Sequence, residues 1–180
     1  MKNIFVSGVA RSGKSTLAKL MKEKGNYNHI PLDYFASSLK HNFPEAKINS
    51  NVIIDPESSK RLALLLSRVI EIIDCQEEKF IIDSAHILPE DIAKYIDKDK
   101  WEIYYLGYPN IEAREKLEMI RKYDTEADWT FNKSDEELVD KLNKLIELSK
   151  HIESKCKALD IKFIDTGSDI KEAIKNITKD

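Results

Sequence analysis

The chain is short of cysteine, of positive charge and of glycine, and each shortage narrows what it can be. Only Cys75 and Cys156 occur in 180 residues. They lie far apart and in no metal-ligand spacing, so the sequence predicts two reduced thiols in a cytosolic protein rather than a disulfide framework or a zinc site. Lysine and arginine number 29 against 32 aspartates and glutamates, a net charge of −3. No basic excess therefore argues for nucleic acid as a partner. No apolar run approaches membrane-spanning length, and no membrane partner is expected. The first strand begins directly after Lys2, and its apolar run is too short for a secretory leader, which makes a cytoplasmic location the expectation. Internal repeats and low-complexity stretches are missing as well. With 42% hydrophobic and 34% charged residues, the composition is that of an ordinary globular protein. One domain, 1–180, is expected, able to bury roughly 70% of its unfolded surface. Oligomeric state is left open.

There are only five glycines, so the spacing of two of them is informative. Gly8-Val9-Ala10-Arg11-Ser12-Gly13-Lys14-Ser15, followed by Thr16, matches the phosphate-loop pattern G-x-x-x-x-G-K-[ST]. A chance match has odds of roughly a few in a thousand. The two glycines let the backbone curl until successive N–H groups face one concavity. A helix starting near Lys14 adds its positive end. The Lys14 ammonium reaches β- and γ-phosphates, and the Ser15 hydroxyl is a hard oxygen ligand for Mg²⁺. Context agrees: residues 3–7 read as a buried strand, and Leu17, Ala18, Leu20 and Met21 as the apolar face of a helix.

Further along, the helix is predicted over about 13–24, with Gly25 as a left-handed stop. Residues 29–32 read as a short strand, at an edge because of Pro31, and Asp33 follows it. Residues 34–55 are the least regular part. Tyr34, Phe35 and Leu39 suggest a short helix, Pro44 breaks it, and the stretch reads equally as a substrate-binding segment or a connector. Asp55-Pro56 caps a helix to about Cys75. Residues 79–83 form the clearest buried strand. Pro89 opens a short helix through Ile96, 101–106 is a strand, and the charge-dense stretch 108–133 has helical spacing over 111–122. A long amphipathic helix spans about 135–157, then a strand at 161–164 and a last helix through Ala173, Ile174 and Ile177. This βα alternation predicts an α/β fold with a parallel sheet covered on both faces, and ligands at the strand carboxyl ends. The phosphate loop, Asp33, Asp83, Gly107 and Thr166 all fall there.

Asp83 closes the strand of residues 80–82 and fits a Walker-B acid that shares Mg²⁺ with Ser15. Its other reading is a strand-end turn cap. Asp33 is placed to take a proton from an attacking hydroxyl, and Asp83 competes for that role. His86 is a candidate substrate contact or proton carrier, or a bystander. Arg61 and Arg68 share a helix face and suit an anionic substrate group or plain solvation. Arg114 and Arg121 suit a lid closing over a polyphosphate. The acids around them (Glu112, Glu115, Glu118, Asp124, Glu126, Asp128) suit a solvated face. Asn132-Lys133-Ser134-Asp135 matches the guanine-reading N-K-x-D motif, but Asp83-Ser84-Ala85-His86 lacks the glycine of a GTPase D-x-x-G. Residues 134–137 are also an S-x-x-E capping box, which explains them without a ligand.

On Gly8 to Thr16, Asp33, the Ile82-Asp83 strand end and the segment after Leu106-Gly107-Tyr108-Pro109, the whole chain resembles the small P-loop kinases of the nucleoside and nucleotide kinase group. The likeness extends to uridine kinases, shikimate-kinase-like and adenylate-kinase-like proteins. The resemblance implies a three-layer α/β/α fold with five parallel strands in the order 2-3-1-4-5 and a helical lid at 108–133 bearing Arg114 or Arg121. It also implies adenine near Asp165 to Gly167, hence near Thr166, and ATP with Mg²⁺ as the donor. The stretch from Asp33 to Asp55 carries no nucleoside-monophosphate signature, so the acceptor stays open. The expected activity is transfer of the γ-phosphate of ATP to a small molecule, with Asp33, Arg61 and His86 on the acceptor side. A regulatory ATPase or nucleotide switch is the alternative, although no water-positioning residue for it is identifiable.

Overall fold

A computed structural model describes residues 2–175. Its elements run β1 (Asn3–Gly8), α1 (Lys14–Gly25), β2 (Asn28–Pro31), α2 (Leu32–Asn42), a 3₁₀ turn (Pro44–Ala46), α3 (Pro56–Ile73), β3 (Phe80–Asp83), α4 (Pro89–Ile92), β4 (Trp101–Gly107), α5 (Ala113–Arg121), α6 (Asp135–Ala158), β5 (Lys162–Asp165) and α7 (Ile170–Lys175). The five strands form one parallel sheet in the order β2-β3-β1-β4-β5. That is the expected α/β architecture and strand order. Pro31 lies in the edge strand, where its missing N–H costs no ladder bond.

Side-chain alternation explains the two layers of helices. Ile4, Val6, Ile81, Tyr104 and Leu106 point to one face and pack with Leu17 and Ala18 of α1 and Ile174 of α7. Phe5, Ile82, Ile103 and Tyr105 point to the other and meet α3, α4 and α6 through residues such as Leu62, Ile92 and Leu142. Because both faces are covered, the strands read as continuous apolar runs. Each fully buried side chain of Leu or Ile size contributes about 2 kcal/mol against leaving it in water.

Capping residues act where the sequence places them. Asp55 accepts from the Ser58 amide at 2.9 Å, and Ser134 accepts from the Glu137 amide at 3.2 Å. The second contact is the serine half of the predicted capping box, and it places Ser134 at the helix start. Three local expectations are corrected. The left-handed stop after α1 is Asn26 (φ 55), with Gly25 still helical; asparagine tolerates that conformation. The short helix expected from Tyr34, Phe35 and Leu39 is the eleven-residue α2, which starts earlier, at Leu32, and takes in Asp33; its buried positions are Leu32 and Ala36, while Tyr34 and Phe35 are exposed. The helix at Pro89 ends at Ile92 rather than Ile96. Ile177, expected in the last helix, lies outside the described residues. Both cysteines are free thiols, Cys75 exposed and Cys156 buried. Among the described residues, no helix is long and apolar enough to cross a membrane.

The sheet sets how closely the phosphate loop approaches its neighbour. Gly8 has φ 134, and a Cβ there would collide with the Leu106 carbonyl. A methyl group at this position combines backbone strain with overpacking against rigid main chain, each about 1–3 kcal/mol. Gly8→Ala is therefore expected to lose about 2–5 kcal/mol of stability in urea unfolding; a loss under 1 kcal/mol would show that the loop can retreat from β4.

Candidate active site

The phosphate loop leaves β1 at Gly8 and enters α1 at Lys14. Gly8 (φ 134), Arg11 (φ 60) and Gly13 (φ 92) take positive φ, which curls the loop amides into a nest. Two contacts from the β4 side pin it. The Val9 amide donates to the Leu106 carbonyl at 3.2 Å, and the Tyr108 hydroxyl donates to the Ala10 carbonyl at 2.8 Å. Lys14 Nζ is buried and donates to the Val9 carbonyl at 2.7 Å. Burial lowers its pKa to about 8, against the pull of Asp33 and Asp83. The buried Ser12 hydroxyl has no hydrogen-bond partner. A loop with turned amides, a compressed ammonium and an orphaned hydroxyl is chemically suited to an oxyanion ligand.

Asp83 closes β3 next to β2, with Pro31 opposite it in the ladder. His29 Nε2 lies 2.6 Å from Asp83 Oδ1, and the pair is largely buried. Burial raises the Asp83 pKa, and the His29 hydrogen bond and charge oppose that rise. Asp33 sits in the first turn of α2 and accepts from the Ala85 amide at 2.9 Å, with His86 Nε2 3.7 Å away. The loop carrying His86 is firmly held. Ser7 and Tyr105 both donate to the Ile87 carbonyl, and Ser59 bridges Asp91 to the Leu88 amide. Burial lowers the His86 pKa below its ordinary 6.5, so the ring is neutral at pH 7, and its buried Nδ1 has no partner. Lys14, Asp33 and Asp83 are thus close enough to feel one another's charge, from three separate stretches of sequence.

Ser15, on the cavity wall, and Asp83, at the end of β3, are the hard-oxygen side chains that could hold a Mg²⁺ ion. Among the described residues, no three His, Cys, Asp or Glu side chains cluster as a metal cage of their own. That donor set fits a magnesium ion held by one or two protein oxygens, with nucleotide phosphates and water completing its shell.

Arginines expected on the site lie elsewhere in this structure. Arg61 donates to the Ala46 and Lys47 carbonyls at 3.0 and 3.4 Å and ties the connector to α3. Arg68 pairs with Glu71 on the exposed face. Arg121 bonds the carbonyls of Thr130, Phe131 and Lys133 and pairs with Asp135 at 2.8 Å. It acts as a brace between the end of α5 and the start of α6. Arg114 shares with it a separate cleft of about 500 Å³. The cavity of about 840 Å³ beside Lys14, Ser15 and Thr16 is lined instead by Arg11, Lys116 and Ser168 to Lys171. Thr166 is set behind that wall, its amide and hydroxyl both given to the Gly107 carbonyl.

Two site residues escape sequence reasoning. His29 becomes visible only through strand pairing. Lys116 does carry a signal, since Ala113, Lys116, Leu117 and Ile120 are the buried positions of α5 and their 3-1-3 spacing puts a lysine on the inner face. Lys116 is 1% exposed, and its ammonium lies 4.3 Å from the Tyr108 ring centroid. Burial, with Arg11 nearby, lowers its pKa to about 8.

This architecture is that of the small P-loop kinases. A shikimate kinase from Bacteroides thetaiotaomicron superposes with a TM-score of 0.60 over 99% of this chain and 97% of its own, at 15% identity. A gluconokinase from Sinorhizobium meliloti 1021 gives 0.60 over 97% and 87%, at 13% identity. The shikimate kinase from Acinetobacter baumannii, solved in complex with shikimate, gives 0.59 over 98% and 90%, at 14% identity. Neither a family model nor a curated protein matches the sequence. At such identities the likeness is one of fold.

Lys116 gives a test of the cavity. Below pH 8 it is charged in both folded and unfolded chains, and the folded chain bears the full cost of burying the charge. Between about 8 and its ordinary 10.5 the folded chain sheds the proton first, so the cost fades as pH rises. Lys116→Met should stabilise the protein by up to roughly 3 kcal/mol at pH 7, less whatever the Tyr108 ring returns, and by little at pH 10.5. Thermal melts across that range, paired with ATP titration, should show higher Tm and weaker ATP binding together.

Proposed function

We propose that this protein transfers the γ-phosphate of ATP to a hydroxyl of a small molecule. The observation that carries the reading is the convergence of Lys14, Asp83 and Asp33 at the carboxyl ends of neighbouring strands, behind a phosphate loop opened by positive φ. In this reading the loop amides and Lys14 bind the β- and γ-phosphates, and the buried position of Lys14 keeps its charge concentrated on them. Ser15 and Asp83 would hold Mg²⁺, which would supply charge neutralisation for the phosphate oxygens. His29 keeps the Asp83 carboxylate in one orientation.

Asp33 works on the acceptor. Its carboxylate is fixed by the Ala85 amide, with a second oxygen left for a substrate hydroxyl. As the acceptor oxygen bonds to the γ-phosphorus, its proton passes to Asp33 and the bond to the ADP oxygen breaks. His86, neutral and braced, lines this end and offers a hydrogen bond to a neighbouring hydroxyl. With Arg61 occupied by backbone carbonyls, the acceptor end presents a carboxylate and an imidazole rather than a free guanidinium. That suits an acceptor whose reactive end is an uncharged, hydroxyl-bearing group. The stretch 34–55 forms its far wall, and 108–133 serves as the lid.

ADP release measured against a panel of polyols, sugars, nucleosides, nucleotides and hydroxy acids tests the reading. One class of hydroxyl compound should accelerate release, and Lys14→Ala should lower that rate by more than about 100-fold. Asp33→Asn should lower kcat by about 100-fold or more while leaving ATP affinity unchanged. If Asp33→Asn changes only ATP affinity, it is not the base. ADP release indifferent to every acceptor would favour an ATPase instead.

A further inference from the structure

The position of Arg11 is unexplained by phosphate binding alone. It sits in the phosphate loop, yet its guanidinium reaches the turn after α5, where Nη2 meets Asp124 at 3.1 Å and Nη1 meets Asp128. That turn is built to receive it. Asp128 also accepts from the amide and hydroxyl of Thr125 at 3.0 and 2.8 Å, and Asp124, only 3% exposed, accepts from Thr130 and from Arg121 at 3.4 Å. Arg11 holds a left-handed backbone, φ 60, a conformation that costs a residue with a Cβ about 1 kcal/mol or more. Ion pairs of this kind, partly buried and made by one guanidinium to two carboxylates, offset such a cost.

Asp128 lines the same cavity as Lys14, Ser15 and Thr16. A carboxylate on the wall of a phosphate site opposes a polyphosphate, and the cation that bonds Asp128, Arg11, lines the same cavity. We propose that Asp124 and Asp128 are positioning residues that govern nucleotide affinity through Arg11. In the nucleotide-free chain they hold its guanidinium. An incoming polyphosphate takes Arg11 from them, and the turn 124–130 is released from the loop. Loop occupancy and the position of the segment over the cavity become one equilibrium, since a ligand shifts a two-state element only through contacts that differ between the states. The inference rests on the nucleotide-binding half of the proposed function and not on the acceptor.

The test uses the full-length protein and a non-hydrolysable ATP analogue with magnesium, titrated calorimetrically into wild type, Asp128→Asn, Arg11→Ala and the double variant. Freeing Arg11 should make Asp128→Asn bind about fivefold tighter or more, Arg11→Ala should bind more weakly, and the gain from Asp128→Asn should shrink in the Arg11→Ala background. Plain relief of like charge gives the opposite cycle, because without Arg11 the Asp128 charge is unscreened and its removal gains more; that outcome overturns the proposal. Hydrogen exchange on the wild type supplies a second readout that needs no variant to fold. Amides of 122–131 should exchange faster when the analogue saturates the protein, and slower exchange would mean a static clamp and would also overturn it. If the analogue binds with this signature but no acceptor stimulates turnover, the latch stands and the kinase reading falls. If the analogue does not bind, both fall.

Discussion

The approach of Gly8 to the Leu106 carbonyl is the constraint on which the site depends. β1 lies at the centre of the sheet, and its loop must leave between β3 and β4 without climbing over either. A glycine at the last strand position lets the backbone turn at φ 134 while touching the main chain of β4. The Val9 amide and the Ala10 carbonyl are then fixed from that side by Leu106 and Tyr108. With the loop so held, α1 begins at Lys14, and the lysine is carried into the interior toward the ends of β3 and α2. Asp83 and Asp33 reach it because parallel strands deliver their carboxyl ends to one edge.

Charge at this edge is held under strain. Lys14 and Lys116 are both pushed down to about 8 by burial, and Asp83 is pushed up. Each shift means that the charged form would be better off in water. An anionic ligand changes that balance for the lysines, and a cation changes it for Asp83. Sites that keep unfavourable charges in place of a better-packed core give up stability for binding. The Ser12 hydroxyl and His86 Nδ1, buried without partners, fit the same pattern. Away from the site, Asp55 and Ser134 cap their helices and a Ser59–Asp91 contact braces the loop before α4, although Glu90 Oε2 is also buried without a partner.

Much of the fold was legible because its signals are local or periodic. The phosphate loop has a fixed spacing, the helix starts at Asp55 and Ser134 carry caps, and the buried strands are runs of β-branched residues. Where local signals were weak, packing decided. α2 starts at Leu32 and buries Leu32 and Ala36 rather than Tyr34 and Phe35, and Asn26 rather than Gly25 turns the chain because α1 keeps its last turn. The arginines show the limit more plainly. Arg61 and Arg121 have the right chemistry for anions, but a guanidinium has five donors and satisfies nearby backbone carbonyls as readily as phosphate. Nothing in their spacing tells one use from the other.

By itself, then, the sequence determined the layered α/β architecture, the strand order that the resemblance implied, and the presence of a phosphate loop with a strand-end acid to go with it. The architecture, the loop and its acid follow from backbone conformation and from hydrophobic periodicity, which are written residue by residue; the strand order follows from the resemblance alone. Tertiary structure alone decided that His29 meets Asp83, that Asp33 is fixed by the Ala85 amide beside His86, that Lys116 rather than Arg114 lines the cavity, and that Arg11 is held by Asp124 and Asp128. Each of these joins residues far apart in the chain. Their meeting depends on strand register, helix rotation and the path of a loop across the sheet edge, and no short stretch of sequence encodes any of the three.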